Sequence, residues 1–133
     1  MIEKQLSIFL ENKPGVLARV CGALGARGIN IRGLSVSDTV DHAVVRMVVD
    51  DSQMALHLLG EHGALVVETD VLAIKLENKP NELAKLAGKL ARAKVNVEYA
   101  YGSSSDGEGT VFFRVSDTKK ALRIIAPGKK RTK

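Results

Sequence analysis

From Gln5 to Leu10 the chain alternates, with Leu6, Ile8 and Leu10 on one face and Phe9 on the other, which predicts a strand. Asn12-Lys13-Pro14-Gly15 is turn chemistry. Leu17, Val20, Cys21 and Leu24 then recur at helical spacing through Arg27, and Gly28 ends that helix. Asn30–Ser37 predicts a second strand, Asp38–Asp41 a hairpin turn, and Ala43–Val49 a third strand, apolar except at Arg46. Asp50-Asp51-Ser52 offers caps for a short helix through Met54 and Leu58 that ends near Gly63. Leu65–Glu68 makes a fourth strand. The order β-α-β-β-α-β is that of a ferredoxin-like unit.

The pattern then repeats. Glu11-Asn12-Lys13-Pro14 returns as Glu77-Asn78-Lys79-Pro80, an offset of 66, and 11 of 24 positions agree between Ile8–Ile31 and Ile74–Val97. Chance would give roughly one or two matches, so the unit is duplicated. Only Thr69-Asp70 separates the copies, which predicts a rigid relation between them. The second copy reads as a strand from Val71, a helix over Glu82–Ala93, a strand over Val95–Tyr101, a loop at Ser103–Gly109, a strand over Val111–Val115 and a helix from Thr118 to Ile125. Matching Arg46 to Arg114 moves the offset to 68 and implies a hairpin two residues longer. No counterpart of Leu65–Glu68 follows. The resulting division is residues 1–69, residues 70–126 as a truncated unit, and a basic tail, 127–133, expected to be disordered. A missing last strand would leave Val71–Leu76 as an open edge, so another chain or the tail is expected to cover it.

Composition adds limits. Units of about 66 residues bury only about 60% of their unfolded surface, so the copies should share a sheet or an interface. Removing the four positive charges of the last five residues takes the net charge from +5 to +1, which disfavours nucleic acid as a partner. Cys21 is the only cysteine, so no intrachain disulfide can form. Glu3 and Lys4 do not resemble a secretory leader, and no apolar run approaches the roughly 20 residues of a membrane span. A cytoplasmic location without membrane association is expected.

Catalytic chemistry is hard to assemble. His57 and His62 lie five apart, the wrong spacing for one helix face, and His42 sits at a strand entry; all three read as surface residues. Cys21 falls on the apolar stripe and reads as core. Ser103-Ser104-Ser105 is loop composition without a partnering base, and no phosphate or dinucleotide fingerprint occurs. The chain therefore reads as no enzyme, with no metal and no cofactor.

The repeated turn carries more. It delivers the chain to a helix N-terminus, where unpaired N–H groups and the helix dipole favour an anion such as a carboxylate. Gly15 would let a ligand approach the backbone of Gly15, Val16 and Leu17, and Asn30 offers donor and acceptor groups at a neighbouring strand start. Carboxylate donors beside ammonium acceptors suit a free amino acid. The same residues also make a good turn and cap with no ligand.

Asn12-Lys13-Pro14-Gly15-Val16-Leu17 followed by Gly28-Ile29-Asn30-Ile31 resembles the signature loop and second strand of ACT domains, and the resemblance extends over both copies. It implies an α+β fold: two βαββαβ units with antiparallel sheets and helices on one face, pairing side by side, here with the last strand of the second absent. It also implies allosteric binding of amino acids at interfaces between paired units, in a homodimer that regulates another protein. Carried over by position, Asn12, Pro14, Gly15, Val16, Leu17, Ile29, Asn30 and Ile31 form one half-site. Asn78, Asn81, Glu82, Leu83, Asn96 and Val97 form its pseudo-symmetric half. Tyr99 and Tyr101, two residues apart on one strand face, read first as sheet packing or an interface surface, and second as one hydroxyl that reaches the ligand. The second copy departs where Asn81 replaces the glycine and Glu82 brings a negative charge to the helix start, which makes the first turn the better site. Two alternatives fit the same order: a purely structural subunit, and an RNA-binding domain. The latter needs exposed sheet aromatics, which the third strand, Ala43–Val49, lacks.

Overall fold

The computed structural model describes residues 1–38, 42–104 and 107–125. Most of the Asp38–Asp41 turn, part of the Ser103–Gly109 loop and the basic tail fall outside them. The elements are β1 (Ile2–Glu11), α1 (Val16–Ala26), β2 (Ile31–Asp38), β3 (His42–Val49), α2 (Ser52–Glu61), β4 (Leu65–Glu77), α3 (Glu82–Arg92), β5 (Val97–Ser104), β6 (Glu108–Val115) and α4 (Thr118–Ile125). The chain forms two compact units. β4 serves both: what reads in sequence as two strands is one, because Thr69 and Asp70 stay extended.

The N-terminal unit comprises Lys4–Thr69, with strand order β2-β3-β1-β4. β3 runs antiparallel to both β1 and β2. Alternation puts Leu6 and Ile8 of β1 and Val45, Met47 and Val49 of β3 on one face, where Val20 and Leu24 of α1 and Ala55, Leu58 and Leu59 of α2 cover them. The stripe of α1 is Val16, Val20 and Leu24. Leu17 is 36% exposed and Cys21 only half-buried, because the helix begins at Val16 and its i, i+4 row leaves both on the flank. The cysteine expected in the core is therefore not there.

The C-terminal unit begins at Asp70 and includes Met1–Glu3. Its strands run in the order β4-β6-β5, both pairings antiparallel. Leu72, Ile74, Phe113 and Val115 form its core with Leu86 and Leu90 of α3 and Ala121 of α4. Among the described residues no strand follows α4. At Ala73 the neighbour expected from another chain or the tail is instead the chain's own N-terminus: the Ala73 N–H donates to the Met1 carbonyl at 2.8 Å. That pairing explains why β1 starts at Ile2 and not at Gln5.

Strand register corrects one expectation. Ile8 faces Val45 and Ile74 faces Val111; Val36 faces Val45 and Gly102 faces Val111. The offset of 66 therefore holds through the hairpin, and the two hairpins are equally long. The counterpart of Arg46 is Phe112, and that of Arg114 is Val48. Matching two arginines by type misled because the backbone ladder, not residue identity, sets equivalence.

Candidate ligand-binding turns

Each unit delivers its first long strand into a left-handed residue that opens a helix. In the N-terminal unit this is Gly15, at φ 87°. A Cβ there would meet nothing within 4 Å, so glycine serves the backbone angle and not a tight approach. The first helical hydrogen bond runs from the Arg19 N–H to the Gly15 carbonyl, 3.0 Å. Val16, Leu17 and Ala18 precede that bond, no side chain caps the helix, and no acidic residue stands in its first turn. Asn12, Pro14 and Gly15 are exposed around it.

Asn30 does not join this turn within the same unit. Glu11 lies level with His42, whereas Gln5 lies level with Val48 and Gly33, so β2 begins where β1 begins. The 11 residues of α1, about 16 Å, separate the two. At that far end the Asn30 N–H donates to Asp50 Oδ1 at 3.1 Å, and the Asp50 N–H donates to the Asn30 carbonyl at 3.1 Å. The Asn30 side chain is exposed. Ile29 is buried in the core, and Ile31 packs against it partly buried. Asn96 repeats the Asn30 arrangement, with its N–H donating to Ser116 Oγ at 3.0 Å, and is exposed. Tyr99 is half-buried opposite Arg114. Tyr101 packs on Phe112 with ring centroids 5.4 Å apart. Phe112 and Phe113, the aromatics of β6, are only 4% and 3% exposed, so neither offers the exposed ring that an RNA-binding sheet needs.

At the second turn Asn81 takes the left-handed angle, φ 75°, again without a side-chain cap. Glu82 stands in the first turn of α3, its carboxylate 2.9 Å from Lys85 Nζ. The hydrogen bond from Lys85 holds the Glu82 carboxyl below its usual range, with the charges of Lys85 and Lys79 adding to it. The hydrogen bond to Glu77, and then the charges of Glu77 and Glu82, raise the Lys79 ammonium above its ordinary value. The Asn78 N–H donates to the Gly107 carbonyl at 2.8 Å, tying this turn to its hairpin.

Beside it lies a feature that sequence reading missed. A cavity of about 250 Å³ is lined by Leu76, Glu77, Asn78, Lys79, Glu82, Leu83, Gly102, Gly109 and Val111. Gly102 opens it: at the equivalent place in the first copy stands Val36, 49% exposed. Glycine is also required there, because a Cβ would lie 2.4 Å from the Thr110 carbonyl oxygen. A strict offset of 66 would have paired Gly102 with Val36 and exposed the difference. Among the described residues no group of three or more His, Cys, Asp and Glu could hold a metal, and no helix is long and apolar enough to cross a membrane.

Two ferredoxin-like units, each with a left-handed turn into a helix start, define the architecture of the chain. The family described as "ACT domain pair" matches residues 1–131, and the chain belongs to it. A protein from Bacteroides thetaiotaomicron of known crystal structure is 35% identical, with a TM-score of 0.93 over 97% of this chain and 90% of that one. The regulatory subunit of aspartate kinase from Thermus thermophilus shares the fold, with a TM-score of 0.72 over 93% of this chain and 91% of that one, at 21% identity. A probable acetolactate synthase small subunit from Archaeoglobus fulgidus is 46% identical over 44 residues, 33% of this chain and 28% of that protein. The small subunit of acetolactate synthase isozyme 3 from Escherichia coli matches at the same identity over 27% of its length. The matches thus span just over a quarter of these curated relatives.

Proposed function

We propose that the chain is a non-catalytic regulatory module that binds a free amino acid at the Asn12–Leu17 turn and passes the binding state to a partner protein. The observation that carries this reading is the helix start at Gly15, uncapped by any side chain and without an acidic residue, beside exposed Asn12. The Val16 N–H already donates to the Lys13 carbonyl at 3.4 Å, which leaves the Leu17 and Ala18 N–H groups to receive a carboxylate. Asn30, with an exposed side chain at the far end of its unit, cannot complete the same site in the same unit. A second copy of the chain would supply it, or Asn96 and Tyr99, where ACT units meet, so the working form is a homodimer in the cytoplasm. The names of the relatives support this direction, since they are regulatory or small subunits of enzymes.

The test is thermal-shift and calorimetric screening of the twenty amino acids against the full chain and an Asn12→Ala variant. One or a few amino acids should stabilise the parent and not the variant. Folded protein that responds to none of them would leave a purely structural subunit as the reading.

A further inference from the structure

A different part of the N-terminal unit has the makings of a site complete within one unit. Between α1 and α2, over the end of β1, lies a cavity of about 190 Å³. Val20, Ala23 and Leu59 give it an apolar wall, and Arg19 and His62 also line it, from α1 and from the residue closing α2. Its volume is that of about six waters of bulk liquid, smaller than a drug-sized pocket and suited to a compact acid.

Arg19 supplies the charge. Its guanidinium forms no ion pair or hydrogen bond among the described residues, and the duplicated unit shows why. There the equivalent Lys85 is held by Glu82 at 2.9 Å, three residues earlier on the helix. In the N-terminal unit Val16 stands in place of that glutamate, so the cation on α1 has no carboxylate from its own helix. Glu11, the carboxylate nearest in sequence that lines the same cavity, is 3.6 Å from Lys13. The His62 Nδ1 lies 2.9 Å from the Leu58 carbonyl, which fixes the ring as part of the wall.

We infer that this cleft binds a small carboxylic acid with an aliphatic body, its carboxylate on Arg19 and its hydrocarbon against Val20, Ala23 and Leu59. The planar guanidinium matches a carboxylate with two parallel hydrogen bonds, and the ligand needs no ammonium group. The site is independent of the amino-acid reading above and needs no second copy.

Isovalerate titrated into the ¹⁵N-labelled full chain tests it, with isopentylamine as the probe of the same body and opposite charge, and acetate as the carboxylate without the body. Isovalerate should shift the amide signals of Ala23, Gly63 and Ala64 in a saturable way, isopentylamine should not, and acetate should bind at least tenfold more weakly. Arg19→Gln, at an exposed position, should keep the parent melting temperature and raise the isovalerate Kd at least tenfold. Absence of shifts, shifts that survive Arg19→Gln, or shifts confined to Asn12 and Asn30 would each overturn the inference. The last outcome would move the carboxylate to the Gly15 turn.

Discussion

The two helix starts share a backbone and differ in what they leave unanswered. At Gly15 the helix dipole faces open solvent with no charge of its own sequence against it. At Asn81 the same dipole is already met by Glu82, which Lys85 holds. The second turn, with the weaker electrostatic invitation to an anion, borders a cavity of about 250 Å³ lined in part by Gly102, where the first copy has Val36. The copies thus differ at two places, in charge at the helix start and in side-chain size at Gly102 and Val36.

The largest expected effect tests the space. Gly102→Val would drive a side chain into the Thr110 carbonyl and should cost about 3 kcal/mol. The mirror change, Val36→Gly, should cost about 1 kcal/mol through strand entropy. Urea melts that showed the two losses to be equal would remove the claim that the copies differ at this position.

The left-handed residues give the next test. Gly28 at φ 75° closes α1, and Lys94 at φ 63° takes its place after α3. Lys94→Gly should stabilise the protein by about 1 kcal/mol, and Gly28→Lys should destabilise it by about the same. A loss on Lys94→Gly would mean that the lysine side chain contributes more than its backbone angle costs.

The helix caps should show no asymmetry. The Met54 N–H donates to Asp51 Oδ1 at 3.1 Å and the Lys120 N–H to Asp117 Oδ1 at 3.0 Å. Asp51→Ala and Asp117→Ala should each cost about 1 kcal/mol. Melts that separated them clearly would show one unit to be much less coupled to its cap.

The smallest effect is electrostatic. The Glu82 carboxyl is held below its usual range, so its contribution is fully present above the unfolded pKa and fades as pH falls through the lower folded value. The melting temperature of Glu82→Gln should therefore lie slightly below the parent at neutral pH and converge with it in acid. A difference that persisted well below the usual carboxylate range would assign the effect to packing.

Much of the fold was legible because periodicity is local. The alternation of Leu6 and Ile8, the helical recurrence of Val20 and Leu24 and the cap at Asp51 each depend on near neighbours, and the repeated Glu-Asn-Lys-Pro marked the duplication. The turn residues Asn12–Leu17 could be read for the same reason. Less legible were Leu17 and Cys21, whose exposure depends on which row of α1 packs on the sheet, and Arg114, whose counterpart depends on a ladder between distant strands.

By itself, then, the sequence determined a βαββαβ unit and a second copy without its last strand, the turn before each first helix and the charge difference between Val16 and Glu82. Only tertiary structure decided that Met1 pairs beside Ala73, that Asn30 lies a helix length from Gly15, that Gly102 opens a cavity and that Arg19 borders another. The division has one physical cause. Secondary structure and caps follow from contacts a few residues apart, whereas edges, cavities and the meeting of side chains follow from strands brought together across the chain.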